Sequence, residues 1–93
     1  MKTRYVIDDK VYNVESSELI FEGVVRADKV FVPPIDRYSF FNFDGRLYRT
    51  KKGNFFMVNE ERAIAVEEQA VKYHFKNHDY DMYVKLFGEL EEA

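Results

Sequence analysis

The sequence contains no cysteine, which excludes disulfide bonds and thiolate metal sites and suits a reducing compartment. It also has no run of about 18 apolar residues, the length that a helix needs to cross a bilayer. The N-terminal segment MKTRYVIDDK is positively charged, but the apolar run of a secretory signal does not follow it. These absences predict a cytoplasmic protein that does not contact membranes.

Glycine is scarce, and none of the four glycines belongs to a phosphate-cradling motif such as G-x-x-x-x-G-K or G-x-G-x-x-G. The serines Ser16, Ser17 and Ser39 lack the G-x-S-x-G context of an activated nucleophile. Because these motifs are missing, the sequence does not indicate an NTPase, a dinucleotide enzyme or a serine hydrolase. We predict a protein that is not an enzyme and that needs no cofactor.

Two weaker candidates for chemistry are present. His74 and His78 are four residues apart, but a zinc site needs a third protein ligand and the H-E-x-x-H pattern is absent. We therefore favour a partly buried His74 and a His78 at a helix end. The second candidate is a group of acidic residues in the N-terminal strands, namely Asp8, Asp9, Glu15, Glu18 and Glu22. Carboxylates act as acid and base only where a pocket separates their pKa values, so we favour solvated side chains.

Aromatic residues, in contrast, are abundant, with nine Phe and seven Tyr among 93 residues. They are densest between residues 38 and 59. Two turn signals, Asp44-Gly45 and the segment 51–54, divide this stretch into three short runs rich in aromatic and β-branched residues. Because glycine accepts the positive φ angles of tight hairpins, the pattern predicts a three-stranded antiparallel meander.

Alternation of side chains along the predicted strands gives two faces, and neither is polar. One face is predicted to hold Phe41, Phe43, Tyr48, Phe55 and Met57. The other is predicted to hold Tyr38, Phe40, Leu47, Phe56 and Val58, with Arg49 among them. One layer of helices covers only one face of a sheet. The second face is then covered by the N-terminal strands or is left for a partner.

The rest of the chain predicts an α+β fold in a single domain, 1–93. Residues 1–66 are mainly β, with strands at 4–7, 10–14, 18–25, 30–32 and 63–66, an Asp8-Asp9 turn, and a charged turn at 26–29. Residues 67–88 are helical, with Asp79 capping the second helix and Gly88 ending it. Residues 89–93 form a frayed acidic tail. We expect an antiparallel sheet of about five to seven strands with two C-terminal helices packed on one face.

Five segments in chain order carry a resemblance: KVYN, ESSELI, LYRTKKGNFF, IAVEEQAVKY and DYDMYVKLFG. Together they resemble a group of small uncharacterised proteins from Gram-positive bacteria of the Firmicutes type and their mobile elements. The chain departs from the group's pattern at Val14, Ser17 and Val66, and it lacks a Gly-rich segment after the hairpin. The resemblance implies a shared fold and a mobile-element setting. It carries no activity and no functional residues.

The leading hypothesis is a small acidic protein-binding module, since the net charge is −3. In a mobile-element setting such a protein would inhibit host defence machinery, in the manner of an anti-CRISPR protein, by masking a partner surface. Exposed aromatic residues and Arg dominate interface energetics, and acidic residues would face a basic groove. The predicted partner-binding residues are Tyr38, Phe40, Arg49, Phe56, Glu89, Glu91 and Glu92. The partner is a host complex or a second copy of the chain.

The alternative is single-stranded nucleic-acid binding through the same sheet. Tyr38, Phe40 and Phe56 would stack on bases, while Arg49 and Lys52 would contact phosphates. The acidic net charge argues against this alternative, because nucleic-acid binding depends on neutralising phosphates. A simpler interpretation of the basic segment RLYRTKKGN is that its charges keep a hairpin turn solvated.

Overall fold

The computed structural model describes residues 2–31 and 38–93, with side chains described for 2–26 and 42–93. These residues form β1 (Arg4–Ile7), β2 (Lys10–Asn13), β3 (Glu18–Phe31), β4 (Tyr38–Arg49), β5 (Phe55–Val58), β6 (Ala63–Val66), α1 (Glu68–His78) and α2 (Tyr80–Phe87). β1 and β2 form an antiparallel hairpin, and the other strands form a second antiparallel sheet in the order β3-β4-β5-β6. The predicted α+β class, with antiparallel sheets followed by two C-terminal helices, is confirmed.

The β1–β2 hairpin turns at Asp8 and Asp9, as predicted. Their φ angles are 50° and 61°, both positive as in a type I′ turn. Aspartate tolerates this conformation better than most side chains, so the turn forms without glycine. The resulting register places Tyr5 opposite Tyr12 on one face of the hairpin and Val6 opposite Val11 on the other.

The predicted turn at Asp44-Gly45 is wrong, because β4 continues through both residues and places Gly45 opposite Gly23 of β3. A Cβ atom at Gly45 would lie 2.5 Å from the backbone oxygen of Val58 and 2.8 Å from the Phe43 ring. Gly45 therefore allows two strands to approach closely and does not form a turn.

The predicted charged turn at 26–29 is also wrong. β3 continues to Phe31 and pairs with β4 along its length, with a register shift between Ala27 and Val30. A shift of this kind accommodates extra residues inside a strand, so charged residues need not end it. Val32, the last residue of the strand predicted at 30–32, lies outside the described residues.

The second predicted turn, at 51–54, is present with a different register. Thr50 N donates to Asn54 O at 2.8 Å, and Gly53 has a φ of +88°. Tyr48 consequently lies opposite Phe56, whereas the sequence predicted Met57 as its partner. This change and the absence of the first turn redistribute the predicted faces, because a shift of one residue moves a side chain to the opposite face.

One face of the four-stranded sheet packs against both helices. Its buried residues are Val25, Phe43, Leu47, Phe55, Met57 and Val66 from the strands and Ala70, Val71, Phe75 and Tyr83 from the helices. A fully buried side chain such as Leu47 or Phe75 contributes about 1.5–3 kcal/mol. This cluster is the main hydrophobic core among the described residues.

The opposite face is covered over β4, β5 and β6 by the β1–β2 hairpin. Tyr12 packs against Phe56 with 5.2 Å between ring centroids, and Tyr48 stacks on Phe56 at 5.3 Å. Val58 completes the buried part of this second cluster. The molecule therefore has three layers here, and the second apolar face is sheltered by the chain's own N-terminal strands.

The C-terminal helices begin and end where the sequence predicted. The Asp79 carboxylate accepts a hydrogen bond from Met82 N at 3.2 Å and caps α2. Gly88 ends α2 with a φ of +92° and a ψ of 171°, a positive-φ conformation that favours glycine but is not the predicted left-handed cap. No helix in the described ranges has the length and apolar character needed to cross a membrane.

Candidate functional site

The structure buries one of the aromatic residues that were predicted to bind a partner. Phe56 is 0% exposed beneath Tyr12, so its prediction as a contact residue is wrong. The reason is that the N-terminal hairpin, and not a partner, covers this side of the sheet. The side chains of Tyr38 and Phe40 lie outside the described residues.

Arg49 lies at the end of β4, opposite Glu18 of β3. Its guanidinium donates to a Glu18 carboxylate oxygen at 2.8 Å. The register places Arg49 opposite Phe55, while Phe56 pairs with Tyr48. The prediction that Arg49 and Phe56 share a face is therefore wrong, because neighbouring positions of a strand point to opposite faces.

The acidic tail residues Glu89, Glu91 and Glu92 follow α2 and are all exposed. The tail is tied back to the start of α2, because Leu90 N donates to the Tyr80 hydroxyl at 2.8 Å. These carboxylates are therefore available to a partner on the helical side of the molecule.

An uncovered part of the sheet remains beside the hairpin. Leu19 and Val24 of β3 are 52% and 48% exposed. Leu19 lies opposite Tyr48, and Val24 lies opposite Asp44, so both belong to the face that the hairpin covers elsewhere. We call this surface the open face, and we define it by Leu19, Glu22, Val24, Asp44 and Arg46.

The open face borders a free strand edge. β3 is a 14-residue strand at one end of the sheet, and among the described strands it pairs with β4 alone. The backbone groups along the outer side of such a strand are a template for another extended segment. A long edge strand beside exposed aliphatic side chains can therefore bind an extended segment of another chain.

Carboxylates surround the end of the open face at which Val24 lies opposite Asp44. A shallow depression there is lined by Glu22, Asp44 and Glu60, with Arg46 as the basic residue among them. The Asn59 side chain donates to Asp44 O at 3.2 Å, which holds the β5–β6 turn against β4. The depression therefore carries net negative charge on a braced backbone.

The histidines form a packed cluster. The His74 ring lies 4.8 Å from Phe21 and 4.9 Å from both Phe75 and His78. Burial lowers the pKa of His74, the nearby His78 lowers it further, and Asp79 opposes the change. No group of three or more possible metal ligands occurs in the described part of the chain. The arrangement fits the predicted packing role of His74 and the helix-end position of His78.

One surface went unrecognised in the sequence because two distant segments build it. The β2–β3 connection and the β4–β5 loop enclose a groove whose basic residues are Lys10, Lys51 and Lys52. We call it the lysine groove. The only signal in the sequence was the local basicity of RLYRTKKGN, which does not reveal that Lys10 lies nearby.

Comparisons with protein-family models, with curated proteins and with solved structures gave no significant match to this chain. The resemblance to the mobile-element group thus stays a prediction.

Proposed function

We propose that this protein is a non-enzymatic binding module that docks through the open face and the β3 edge onto a basic surface of a partner protein. The observation that carries the proposal is the contrast in burial on one sheet. On the side that the hairpin covers, Phe56 and Val58 are 0% and 2% exposed, whereas Leu19 and Val24 of β3 on the same side are about half exposed. Aliphatic side chains left open beside a strand edge are the features that protein partners cover.

The strand edge supplies affinity without sequence specificity, and the side chains supply specificity. A partner segment that pairs with β3 would form main-chain hydrogen bonds along the edge, as in β-strand addition. Its alternate side chains would contact Leu19 and Val24. These contacts would anchor the complex, because buried apolar contacts near the centre of an interface dominate its binding energy.

Charge selects the kind of partner. Glu22, Asp44 and Glu60 outnumber Arg46 in the depression beside the open face, and the whole chain has a net charge of −3. Complementary charge raises association rates and suppresses wrong partners. A basic protein surface is therefore the occupant that this region favours.

The setting follows from the resemblance to mobile-element proteins. Machinery that handles nucleic acid presents basic grooves to phosphates. An acidic module seated on such a groove would exclude the nucleic acid, which is inhibition of host defence in the manner of an anti-CRISPR protein. Masking needs no catalytic group.

The test compares two valine variants in a pull-down from host lysate. Val24→Lys places a charge in the open face, whereas Val6→Lys places the same charge on the outer face of β1, where Val6 is 72% exposed. We expect capture of a basic protein to be lost in Val24→Lys and kept in Val6→Lys. Displacement of that protein by an oligonucleotide would identify its basic surface as the occupied one. Equal capture by both variants would overturn the proposal.

A second copy of the chain is the competing occupant. Light scattering over a range of concentrations separates the two cases, because a self-associating protein changes its mass with dilution. A stable dimer that Val24→Lys dissociates would show that the open face serves self-association and not a foreign partner.

The alternative function, base stacking on the sheet, has lost one of its three aromatic residues. Phe56 is buried, and Arg49 is paired with Glu18. Single-stranded nucleic acid stacks on exposed rings, and the two described rings at this place in the sheet, Tyr48 and Phe56, are buried.

A further inference from the structure

The lysine groove lies between two loops that are distant in the sequence. One wall is the β2–β3 connection, which contributes Ser16, and the other is the β4–β5 loop, which contributes Thr50. The groove encloses about 440 Å³ and is open to solvent. Its size suits a small ligand and not a folded partner.

Local hydrogen bonds hold the first wall in place before any ligand arrives. Glu15 N donates to Asn13 Oδ1 at 3.0 Å, and the Ser17 hydroxyl donates to Asn13 O at 2.6 Å. Val14 N donates to Thr3 O at 2.8 Å, which ties the connection to the start of the chain. A site that is organised in advance loses less entropy on binding.

The second wall is equally braced. Gly53 N donates to Thr50 O at 2.9 Å, and Asn54 N donates to Thr50 Oγ1 at 3.1 Å. The Thr50 hydroxyl oxygen therefore accepts a backbone hydrogen bond and keeps its own O–H for another acceptor.

Charge in the groove has one sign. Lys10, Lys51 and Lys52 line it, and none of the three forms an ion pair within the described ranges. An adjoining depression contains the Glu18 carboxylate, which is already paired with Arg49 at 2.8 Å. Three ammonium groups thus share one small concave surface in a protein whose net charge is negative.

The remaining lining groups also favour an anion over a base. Hydroxyls and amides supply further donors, and the aromatic residue that the groove touches, Tyr12, is buried against Phe56. Phosphate oxygens accept strong, charge-assisted hydrogen bonds from ammonium groups. A nucleobase would find no exposed ring on which to stack.

We propose that the lysine groove binds a compact polyphosphate anion, either inorganic diphosphate or the diphosphate group of a nucleotide. Three positive charges within one groove balance the charge of such a group. A single phosphate monoester would leave part of this charge unmatched, and a long polyanion would extend past the groove walls.

This site is independent of the proposed docking surface. The groove adjoins the Arg49 end of β4, near Leu19 at one end of the open face, whereas Val24, the residue changed in the docking test, lies opposite Asp44. Five residues of strand separate these positions, which is about 16 Å at the usual rise per residue. Loss of one function therefore does not entail loss of the other.

Isothermal titration of the full chain with inorganic diphosphate, at low salt and without divalent metal, tests the proposal. We expect one site per chain and a loss of affinity of about fivefold to tenfold in Lys52→Gln and in Lys10→Gln. The matched control is Lys85→Gln, which removes the same charge from an exposed position on α2 and should bind normally. Val24→Lys should also bind normally, which separates this result from the docking experiment.

Three results would overturn the proposal. The first is equal weakening in the groove variants and in Lys85→Gln, which would indicate diffuse attraction to the whole surface. The second is absence of diphosphate binding by the unmodified chain. The third is tight binding of a single-stranded oligonucleotide that diphosphate does not displace, which would make nucleic acid the ligand. Thermal unfolding of each variant verifies that it is folded.

Adenosine diphosphate and inorganic diphosphate distinguish the two sources of the anion. Equal affinities would show that the groove recognises the phosphates alone. Tighter binding of the nucleotide would show that the groove also contacts the nucleoside. Both outcomes support the proposal, because the lysine contacts are the same.

Discussion

The two parts of β4 have different surroundings. The part from Arg46 to Arg49 lies between β3 and β5 and is covered by helices on one face and by the N-terminal hairpin on the other. The part from Tyr38 to Gly45 pairs with β3 alone among the described strands. On the hairpin side, Tyr48 in the first part is 7% exposed and Asp44 in the second part is exposed, so coverage on this side depends on where the hairpin lies.

This difference leaves β3 exposed on the hairpin side of the sheet. Phe56 of β5 is 0% exposed there, whereas Leu19 of β3 is 52% exposed. The covered residues stabilise the fold, and the exposed residues of β3 belong to the proposed docking surface.

The largest expected effect comes from truncating one covered and one exposed residue on the hairpin side of the sheet. Phe56→Ala removes a ring packed between Tyr12 and Tyr48 and should cost about 3–5 kcal/mol of the free energy of unfolding. Leu19→Ala, at a half-exposed position, should cost about 0.5 kcal/mol or less. Urea denaturation measures both values. Similar costs for the two variants would contradict the three-layer arrangement.

A substitution at Gly45 tests the point where the two parts of β4 meet. Gly45→Ala places a methyl group against the backbone oxygen of Val58 and should cost about 1–3 kcal/mol. The control is Gly53→Asn, since a Cβ at Gly53 meets nothing within 4 Å and Asn tolerates a positive φ. If Gly45→Ala were as stable as the control, Asp44-Gly45 would form an open turn after all.

The ion pair between Arg49 and Glu18 should matter little for stability. Both side chains are partly exposed, so Arg49→Gln should cost about 0.2–1 kcal/mol, and less as salt is added. Chemical denaturation at low and high salt measures the change. A loss well above this range would mean that Arg49 holds β3 and β4 together at this end.

The smallest effect concerns the contact of α1 with β3, where His74 packs against Phe21. The folded chain lowers the pKa of His74, mainly by burial, so the unfolded chain binds this proton more readily. The contribution of neutral His74 to the free energy of unfolding should be fully present above about pH 6.5. It should decrease as the pH falls from there toward the lowered pKa.

Urea midpoints measured at several pH values test this expectation. His74→Gln should flatten the dependence of stability on pH in this range, whereas His78→Gln should keep most of it, because burial is the main cause of the lowered pKa. Unchanged pH dependence in His74→Gln would show that other groups are responsible.

Local signals in the sequence predicted the ends of several elements correctly. The Asp8-Asp9 turn, the Asp79 cap and the Gly88 helix end are each determined by residues within one turn of the chain. The conformational preferences of Asp and Gly decide such features without help from distant residues.

The same reasoning failed where a glycine had two possible uses. Asp44-Gly45 is a strong hairpin signal, but here Gly45 makes room for the backbone of Val58. Only the position of the neighbouring strand distinguishes these uses. The error carried through to the predicted faces, and it placed Phe56 among the contact residues although Phe56 is buried.

By itself, the sequence determined the class of the fold, the placement of the strands before two C-terminal helices, and the excess of apolar sheet surface over what two helices shelter. These properties depend on composition and on local backbone preferences. The tertiary structure decided which apolar residues are covered, because that depends on where the N-terminal hairpin lies. It also brought Lys10 beside Lys51 and Lys52, since only folding places segments forty residues apart in one groove.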